Sequence, residues 1–556
     1  MFNRVKNALY NVVGGIESFP AIKDGELNDR PPLKFRYTRP TFLQLTTDDE
    51  VQVSADHVIR PIIVPRDITK LPWNSGYAEA INAGKSVRNE DQGTTIRGVL
   101  YTSSAISVKH DMTVPQNPVK DNAKESNVES NETESAESKS ETESPIPNSV
   151  NNSDDPKFTT PPSTPEQPRK IVLDHTIPWI YFALFDGHAG SGVAVSASNT
   201  LHKIIQEKLQ DVADLLIMPQ AQLNLVAKGG NERNISQPPG FQGFSSNRDV
   251  TPDSLIAGAL ESAFWDMDRL ISIDKKHYTM TGGCTSLVAV FMFGKLFVAN
   301  AGDSRAVLCR GPKTFPMSND FTPETERNRI RKLGQLRPEL LGGEFTHLEF
   351  ARRPARKDLG DKILYRDAYM TGWSYKSITM EDLKFPLIYG EGKRSRVLAT
   401  IGVTRGFGDH DLKALNTDID IKPFLSCEPE VKIFNLLEEE LTDADVLVMG
   451  TDGLWDVTTN EKAAEVVQKS LDHFPANDAQ RYKYRYTSAA QDLVMHSRGK
   501  LRERNWRTAD NKLATIDDIS VFVIPLRPYK EEYLQWEKSR DELATYMQSQ
   551  SQLRVL

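Results

Sequence analysis

Cysteine is nearly absent: Cys284, Cys309 and Cys427 are the only three in 556 residues. An odd count at wide spacing excludes a disulfide framework and a thiolate zinc cluster, and with no secretory signal pattern it points to a reducing, cytoplasmic setting. Histidine is scarce too, at 10 residues. No apolar run approaches the ~20 residues that span a bilayer. Basic charge is not in excess either, since 68 Lys and Arg stand against 76 Asp and Glu for a net charge of -8. The electrostatic footprint of a nucleic-acid binder is therefore missing.

What the chain does carry is carboxylates, in five short islands at or beside the ends of apolar strand-like runs. They are Asn89-Glu90-Asp91, Phe185-Asp186-Gly187-His188, Asn300-Ala301-Gly302-Asp303-Ser304, Thr451-Asp452-Gly453-Leu454-Trp455-Asp456 and Asp517-Asp518-Ile519-Ser520. Any one of them alone reads as a solvated turn. Together they read as one metal site, because strands that end where carboxylates begin bring distant residues to a common rim. Hard oxygen donors select magnesium or manganese over zinc. In a two-ion site, with the ions ~3.5–4 Å apart, such cations activate water toward a phosphoryl group. Asp186 is the expected bridge between the ions, and Glu90, Asp452 and Asp517 complete the pair. Gly187, without a side chain, lets its carbonyl approach an ion. His188 stands where a general acid would protonate a departing alkoxide near neutral pH.

The remainder of the chain organises around these islands. Residues 110–170 hold a Glu/Ser/Asn-rich and then Pro-rich stretch that cannot bury enough apolar surface to order itself, and 228–250 is a second Gly/Pro/Ser/Asn loop. Val193 to Leu216 and Pro252 to Lys276 have the helix period, as do Asn460 to Phe474 and Thr487 to Arg502. Ser286 to Ala299 reads as a hairpin turning on Gly294-Lys295 in a type II′ turn, with Arg305 to Cys309 continuing the meander. Asp445 to Gly450 and Ile519 to Pro525 read as buried strands. The expected fold class is α+β, a sheet sandwich with helical outer layers and long insertions. Lys85-Ser86 imitates a phosphate loop, but Glu79 stands where such a loop needs Gly.

The ordered islands, with Gly283-Cys284-Thr285 and Thr404-Arg405-Gly406-Phe407-Gly408-Asp409, resemble the metal-dependent Ser/Thr protein phosphatases from about Gly76 to Pro525. The resemblance implies an α-β-β-α sandwich of two antiparallel sheets and hydrolysis by a hydroxide bridging two ions, without a phosphoenzyme. It assigns Asp186, Glu90, the Gly187 carbonyl, Asp452 and Asp517 to a binuclear Mg2+ or Mn2+ site, and Asp91 to a metal-held water. Asp303 and Asp456, with Asp452, match a weaker third ion. Glu344 to Phe350, Leu364 to Asp367 and Asp382 to Lys393 look further like the H/J/M branch of that family. This branch implies phosphoprotein substrates, with phosphorylated Rab-type small GTPases as a class. Segment 321–396 corresponds to the flap that borders the family's cleft.

Departures from the family pattern are specific. Ser86 stands where an Arg usually holds the substrate phosphate, which leaves Lys85 or Arg88 to supply that cation. Asp518 replaces the usual Asn and Cys284 the usual Ser. The missing Arg motivates an alternative reading, a catalytically silent scaffold on the phosphatase fold. The full carboxylate set opposes it, because a scaffold has no need of mutually repelling charges. A hydrolase of small phosphoesters is a third reading.

The expected divisions are an amphipathic helix at 1–20, an extension at 21–75, the catalytic domain at 76–526 and a tail at 527–556. Met1, Phe2, Val5, Ala8, Leu9, Val12, Val13, Ile16 and Phe19 form the apolar stripe of the first helix. That stripe needs either a lipid interface or the protein's own core to cover it, and the early cations Arg4 and Lys6 favour the peripheral surface of a curved, Golgi-like membrane.

Overall fold

The computed structural model describes residues 31–103, 176–229 and 250–553. The expected helix at 1–20, the acidic insertion at 110–170 and almost all of the 228–250 loop lie outside the described residues. Within them, short apolar runs whose successive side chains point to opposite faces have built two five-stranded sheets that face each other. In chain order the strands are β1 Gly76–Ala80, β2 Gln92–Tyr101, β3 Thr176–Phe185, β4 Ser286–Met292, β5 Lys295–Ala301, β6 Arg305–Arg310, β7 Lys313–Pro316, β8 Glu430–Asn435, β9 Val446–Gly450 and β10 Ile519–Pro525. One sheet runs β1-β10-β9-β6-β7 and the other β8-β5-β4-β3-β2, with antiparallel pairing throughout.

Alternate residues separate three apolar layers. Ile180, Phe182 and Leu184 of β3 face Leu447 and Met449 of β9 and Phe522 and Ile524 of β10 across the central core. The opposite faces of β3 and β4, through Trp179, Tyr181, Val288 and Val290, pack on helices Gly192–Asp211 and Pro252–Asp274. Val448, Val521 and Val523, on the outer face of the first sheet, pack on helices Asn460–Leu471 and Arg485–Arg498. The result is the α-β-β-α sandwich.

Several local expectations are corrected. Met292 pairs with Lys295, so the hairpin turns on Phe293-Gly294 rather than Gly294-Lys295. Both turn residues have positive φ, 52° and 69°, which is a type I′ turn, not II′. Phe293 accepts that backbone because its ring packs against the core. The stretch Arg305 to Cys309 does not continue the meander. The chain leaves β5 at Gly302, where φ is +144°, and crosses to the other sheet to pair with β9. The helix expected over Thr487 to Arg502 starts at Arg485 and stops at Arg498, because Gly499 at φ +64° turns the chain into a small hairpin of Lys500–Arg502 with Asn505–Arg507.

Among the described residues, both segments outside 76–526 contribute to the core. Phe42, Leu43 and Leu71 from the extension are buried against Tyr77 and Phe522. The tail is a helix, Arg527–Leu553, whose Tyr529 and Tyr533 enter the same core. The flap extends beyond residue 396: Ile330, Leu341, Phe345, Leu387, Val397, Ile401, Ile421 and Phe424 form a separate small core. Arg405, paired with Glu326 at 2.8 Å, ties this body to the sandwich.

Tyr529 tests the role of the tail. Its ring meets those of Phe291 at 5.0 Å and Trp73 at 5.7 Å, and its hydroxyl accepts the Gly294 N–H at 2.9 Å. Tyr529→Phe leaves that N–H without its acceptor and should cost about 1–3 kcal/mol. Tyr529→Ala also opens a cavity and should cost about 3–5 kcal/mol. Urea denaturation of the two variants checks both the order and the sizes.

Candidate metal centre

Strand register explains why the islands meet. Gln92 pairs with Phe185, so Glu90-Asp91, just before β2, lie beside Asp186-Gly187, just after β3. Ser286 pairs with Ala301, which sets Asp303 at the same end. In the other sheet Gly450 pairs with both Arg305 and Val521, so Asp452 and Asp517-Asp518 flank one another there. Five chain segments thus deliver carboxylates to one rim of the sandwich.

Backbone and hydroxyl groups hold these turns. The Asp452 N–H donates to Asp186 Oδ2 at 3.4 Å, and the Gly190 N–H to Glu90 Oε1 at 2.9 Å. The Thr451 hydroxyl donates to Asp91 Oδ2 at 2.9 Å and accepts the Ser520 N–H at 3.0 Å. Asp518 accepts the N–H of Asn82 at 2.7 Å and of Glu90 at 3.1 Å, so its carboxylate is used in cross-linking two loops. Gly187 permits this approach: a Cβ there would lie 2.6 Å from the Glu90 carbonyl oxygen.

The electrostatics are those of crowded anions. Burial, then the charges of Asp452, Asp91, Asp517 and Asp303, push the Asp186 carboxyl well above its ordinary range. Asp452 is raised in the same way by burial and then by Asp303, Asp517 and Asp456. Asp91 is raised by burial and Asp518. Glu90 and Asp303 are each pushed up to about 7, with burial as the first cause.

This environment fits a divalent cation. All the side-chain donors are oxygens, and Asp91 Oδ1 is a buried acceptor without a hydrogen-bond partner. Gathering a cation would both satisfy that atom and offset the repulsion. Among the described residues no three His, Cys, Asp or Glu side chains are drawn tightly enough to form a ready coordination shell.

Around the carboxylates sit three cations and a histidine. Lys85 ion-pairs with Asp517 and is raised above its ordinary value: burial acts against its charge, and Asp517, Asp452 and Asp186 outweigh it. Arg88 instead stacks over the Tyr37 ring, 4.7 Å from its centroid. Lys393, from the flap, donates to Asp456 Oδ1 at 2.8 Å and to its carbonyl at 2.6 Å. His188 Nε2 lies 2.7 Å from Asp409 Oδ2. Burial opposes the imidazolium, but the bond to Asp409 and the charges of Asp409, Glu90 and Asp303 prevail, so His188 is raised.

The sequence pattern of the protein phosphatase 2C family matches residues 162–352 and 389–502. The chain belongs to that family. It is 43% identical to protein phosphatase 1H of Homo sapiens over 551 residues, which cover 95% of this chain and 99% of that protein. Protein phosphatase 1H of Xenopus tropicalis is likewise 43% identical over 546 residues, with 95% and 99% covered. Protein phosphatase 1J of Rattus norvegicus is 43% identical over 494 residues, with 88% and 86% covered. The protein is thus a metal-dependent Ser/Thr protein phosphatase. Residues 353–388, which the family pattern skips, fall within the flap of this phosphatase.

Two features of the site escaped sequence reasoning. Asp409 reads from sequence only as one member of a motif, yet it is the partner of His188, and Asp268 holds its loop by accepting the Gly408 N–H at 2.9 Å. Asp518, noted as a departure from the usual Asn, is the acceptor that ties the first and last islands together. A sequence signal for Asp409 existed in its position after the Gly406-Phe407-Gly408 turn, but nothing there named His188 as the partner.

The crowding has a pH consequence. The folded values of Glu90 and Asp303 near 7, and of Asp518 near 6, lie above the unfolded carboxylate range near 4. Folding therefore gains from proton uptake at low pH, and that contribution is lost as pH rises through about 6 to 7. In excess chelator, the phosphatase should lose more thermal stability between about pH 5 and pH 7.5 than Glu90→Gln does. Manganese should restore stability mainly at the higher pH, where protons no longer compete for the ligands. Equal pH slopes for the two proteins in chelator would contradict this.

Proposed function

We propose that this phosphatase hydrolyses phosphoserine and phosphothreonine in proteins at a site holding two tight Mg2+ or Mn2+ ions and a weaker third. The observation that carries the reading is the meeting of five strand-end carboxylates, with Asp186 subject to the charges of Asp452, Asp91, Asp517 and Asp303. Asp186, Glu90, Asp452, Asp517 and the Gly187 carbonyl would hold the tight pair, with Asp91 holding water. Asp303 and Asp456 would serve the third. Bound there, the ions supply charge neutralisation for the phosphoryl oxygens and a nucleophilic water near neutral pH.

The chain's own groups perform the remaining work. With Nε2 of His188 engaged by Asp409, Nδ1 is the ring nitrogen left to give a proton to the departing serine or threonine oxygen. The raised pKa of His188 favours the protonated form this needs. Lys85, beside Asp517, is the cation proposed to bind the substrate phosphate. Arg88, stacked on Tyr37, is not. Lys85→Ala should raise KM for a phosphothreonine peptide about 10- to 100-fold, the value of one charge-assisted hydrogen bond. Arg88→Ala should stay within about twofold of wild type, and excess chelator or Asp186→Ala should abolish turnover of the same peptide. Persistent phosphate release in chelator would overturn the whole reading.

Substrate choice is proposed to lie with the flap, whose Lys393 reaches Asp456. Phosphorylated Rab-type small GTPases are the proposed class, on the resemblance to the H/J/M branch. The apolar stripe of residues 1–20 is proposed to place the cytoplasmic phosphatase peripherally on Golgi-like membranes. Replacing Val5 and Leu9 by Glu should abolish co-sedimentation with small, strongly curved vesicles and leave peptide turnover unchanged. Equal co-sedimentation of the two proteins would sink the membrane proposal.

A further inference from the structure

Two arginines of the segment before β1 are buried directly beneath the turns that carry the first and last islands. Arg39 has 5% of its surface exposed and Arg60 has none. A buried guanidinium is costly unless its N–H groups are used. Arg39 makes a bidentate pair with Glu79, Nε to Oε1 at 2.8 Å and Nη2 to Oε2 at 2.6 Å. Its Nη1 donates onward to the carbonyls of Asp91 at 2.8 Å and Asn89 at 3.3 Å. Arg60 bonds to carbonyls on two strand ends: Nε to Ile81 at 2.6 Å, Nη1 to Thr515 at 2.8 Å and Nη2 to Asp517 at 2.7 Å.

We infer that Arg39 and Arg60 are positioning residues of the metal centre, each clamping the backbone of a carboxylate turn, so that the segment preceding the catalytic domain is required to set the ligand geometry. The inference rests on the reading of Glu90, Asp91 and Asp517 as metal-holding groups. Three aspects of the structure support it. The contacted carbonyls include those of Asp91 and Asp517 themselves, not of residues elsewhere in the strands. Each guanidinium spans two separate stretches of chain, which its rigid fork does and a Lys point charge does not. Asp518 joins the same two turns from the other direction, through Asn82 and Glu90. Asp518 thereby braces the last island directly against the first, Arg39 ties the first to Glu79 of β1, and Arg60 ties the last to Ile81 at the end of β1, although more than four hundred residues separate the two islands in sequence.

The test uses the full chain and manganese alone, titrated calorimetrically into metal-free protein. Arg60→Lys keeps the charge and loses the fork. Arg39→Met/Glu79→Gln removes the guanidinium without leaving a buried unpaired carboxylate, and the amide oxygen introduced in place of the Glu79 carboxylate can still accept from the Tyr77 hydroxyl, which donates to Glu79 Oε2 at 2.7 Å. Both variants should unfold cooperatively, yet bind manganese about 10- to 100-fold more weakly, the effect of losing groups that orient metal ligands. KM for a small aryl phosphate should change less than kcat at limiting manganese. Wild-type manganese affinity in a folded variant overturns the inference. So does loss of cooperative unfolding in both, because the arginines would then hold the fold rather than the ligands; if one variant fails to fold, the other decides. Asp186→Asn is the control for the underlying reading. If it too retains wild-type affinity, the metal assignment falls, whereas its loss of binding beside unaffected arginine variants overturns the positioning role alone.

Discussion

Carboxylates that repel one another are held at the rim between two sheets, where burial and neighbouring charge both oppose ionisation. Asp91 is fully buried with one oxygen unpartnered, and Asp186 and Asp452 are each raised by burial and by several other acids. Such a cluster destabilises the fold at neutral pH unless cations join it. Much of the surrounding structure answers that constraint. Thr451 and Ser520 secure Asp91, Asp518 accepts from two loops, and glycines at 187 and 302 allow chains to approach where a side chain would collide. Lys85 and Lys393 place positive charge at opposite acids, Asp517 and Asp456. The energetic burden of the site is thus the feature that makes it useful for polarising a phosphoryl group.

Legibility from sequence followed the range of the interaction. Strands such as Val446–Gly450 and Ile519–Pro525, buried on both faces, announce themselves as short apolar runs, and the helices flanking the sandwich show their period. The islands were legible because each sits at a strand terminus, and the sandwich follows from the order of strands and helices. The type I′ turn was missed because a Phe at positive φ is rare, and only packing of its ring against the core, a tertiary fact, accounts for it. The passage of the chain from β5 to β6 looked like a third meander strand because a tight Gly-containing turn does not reveal which sheet receives the next strand.

The least legible residues were the arginines. Arg60 stands among Val58, Ile59, Ile62 and Ile63, and Arg39 lies between Tyr37 and Phe42, but nothing local turns either side chain inward, since an arginine ordinarily faces solvent. Glu79 is 40 residues from Arg39, and the Asp517 carbonyl is 457 residues from Arg60, so no local pattern could pair them. For the same reason the extension and the tail read from sequence as lying outside the catalytic domain, although Phe42, Leu43 and Tyr529 fill the central core. The flap differs again: its small core of Ile330, Phe345, Leu387 and Phe424 is assembled from one helix, Arg327–Leu336, and from two-residue strands and turns too short to show a period.

The central claim is that the five islands form one binuclear site bridged by Asp186. Anomalous diffraction at the manganese absorption edge, on crystals of the full chain grown with manganese, tests it most directly. The account predicts two peaks about 3.5–4 Å apart, both within bonding distance of the Asp186 carboxylate. A single peak remote from Asp186, or none at the rim, would contradict it.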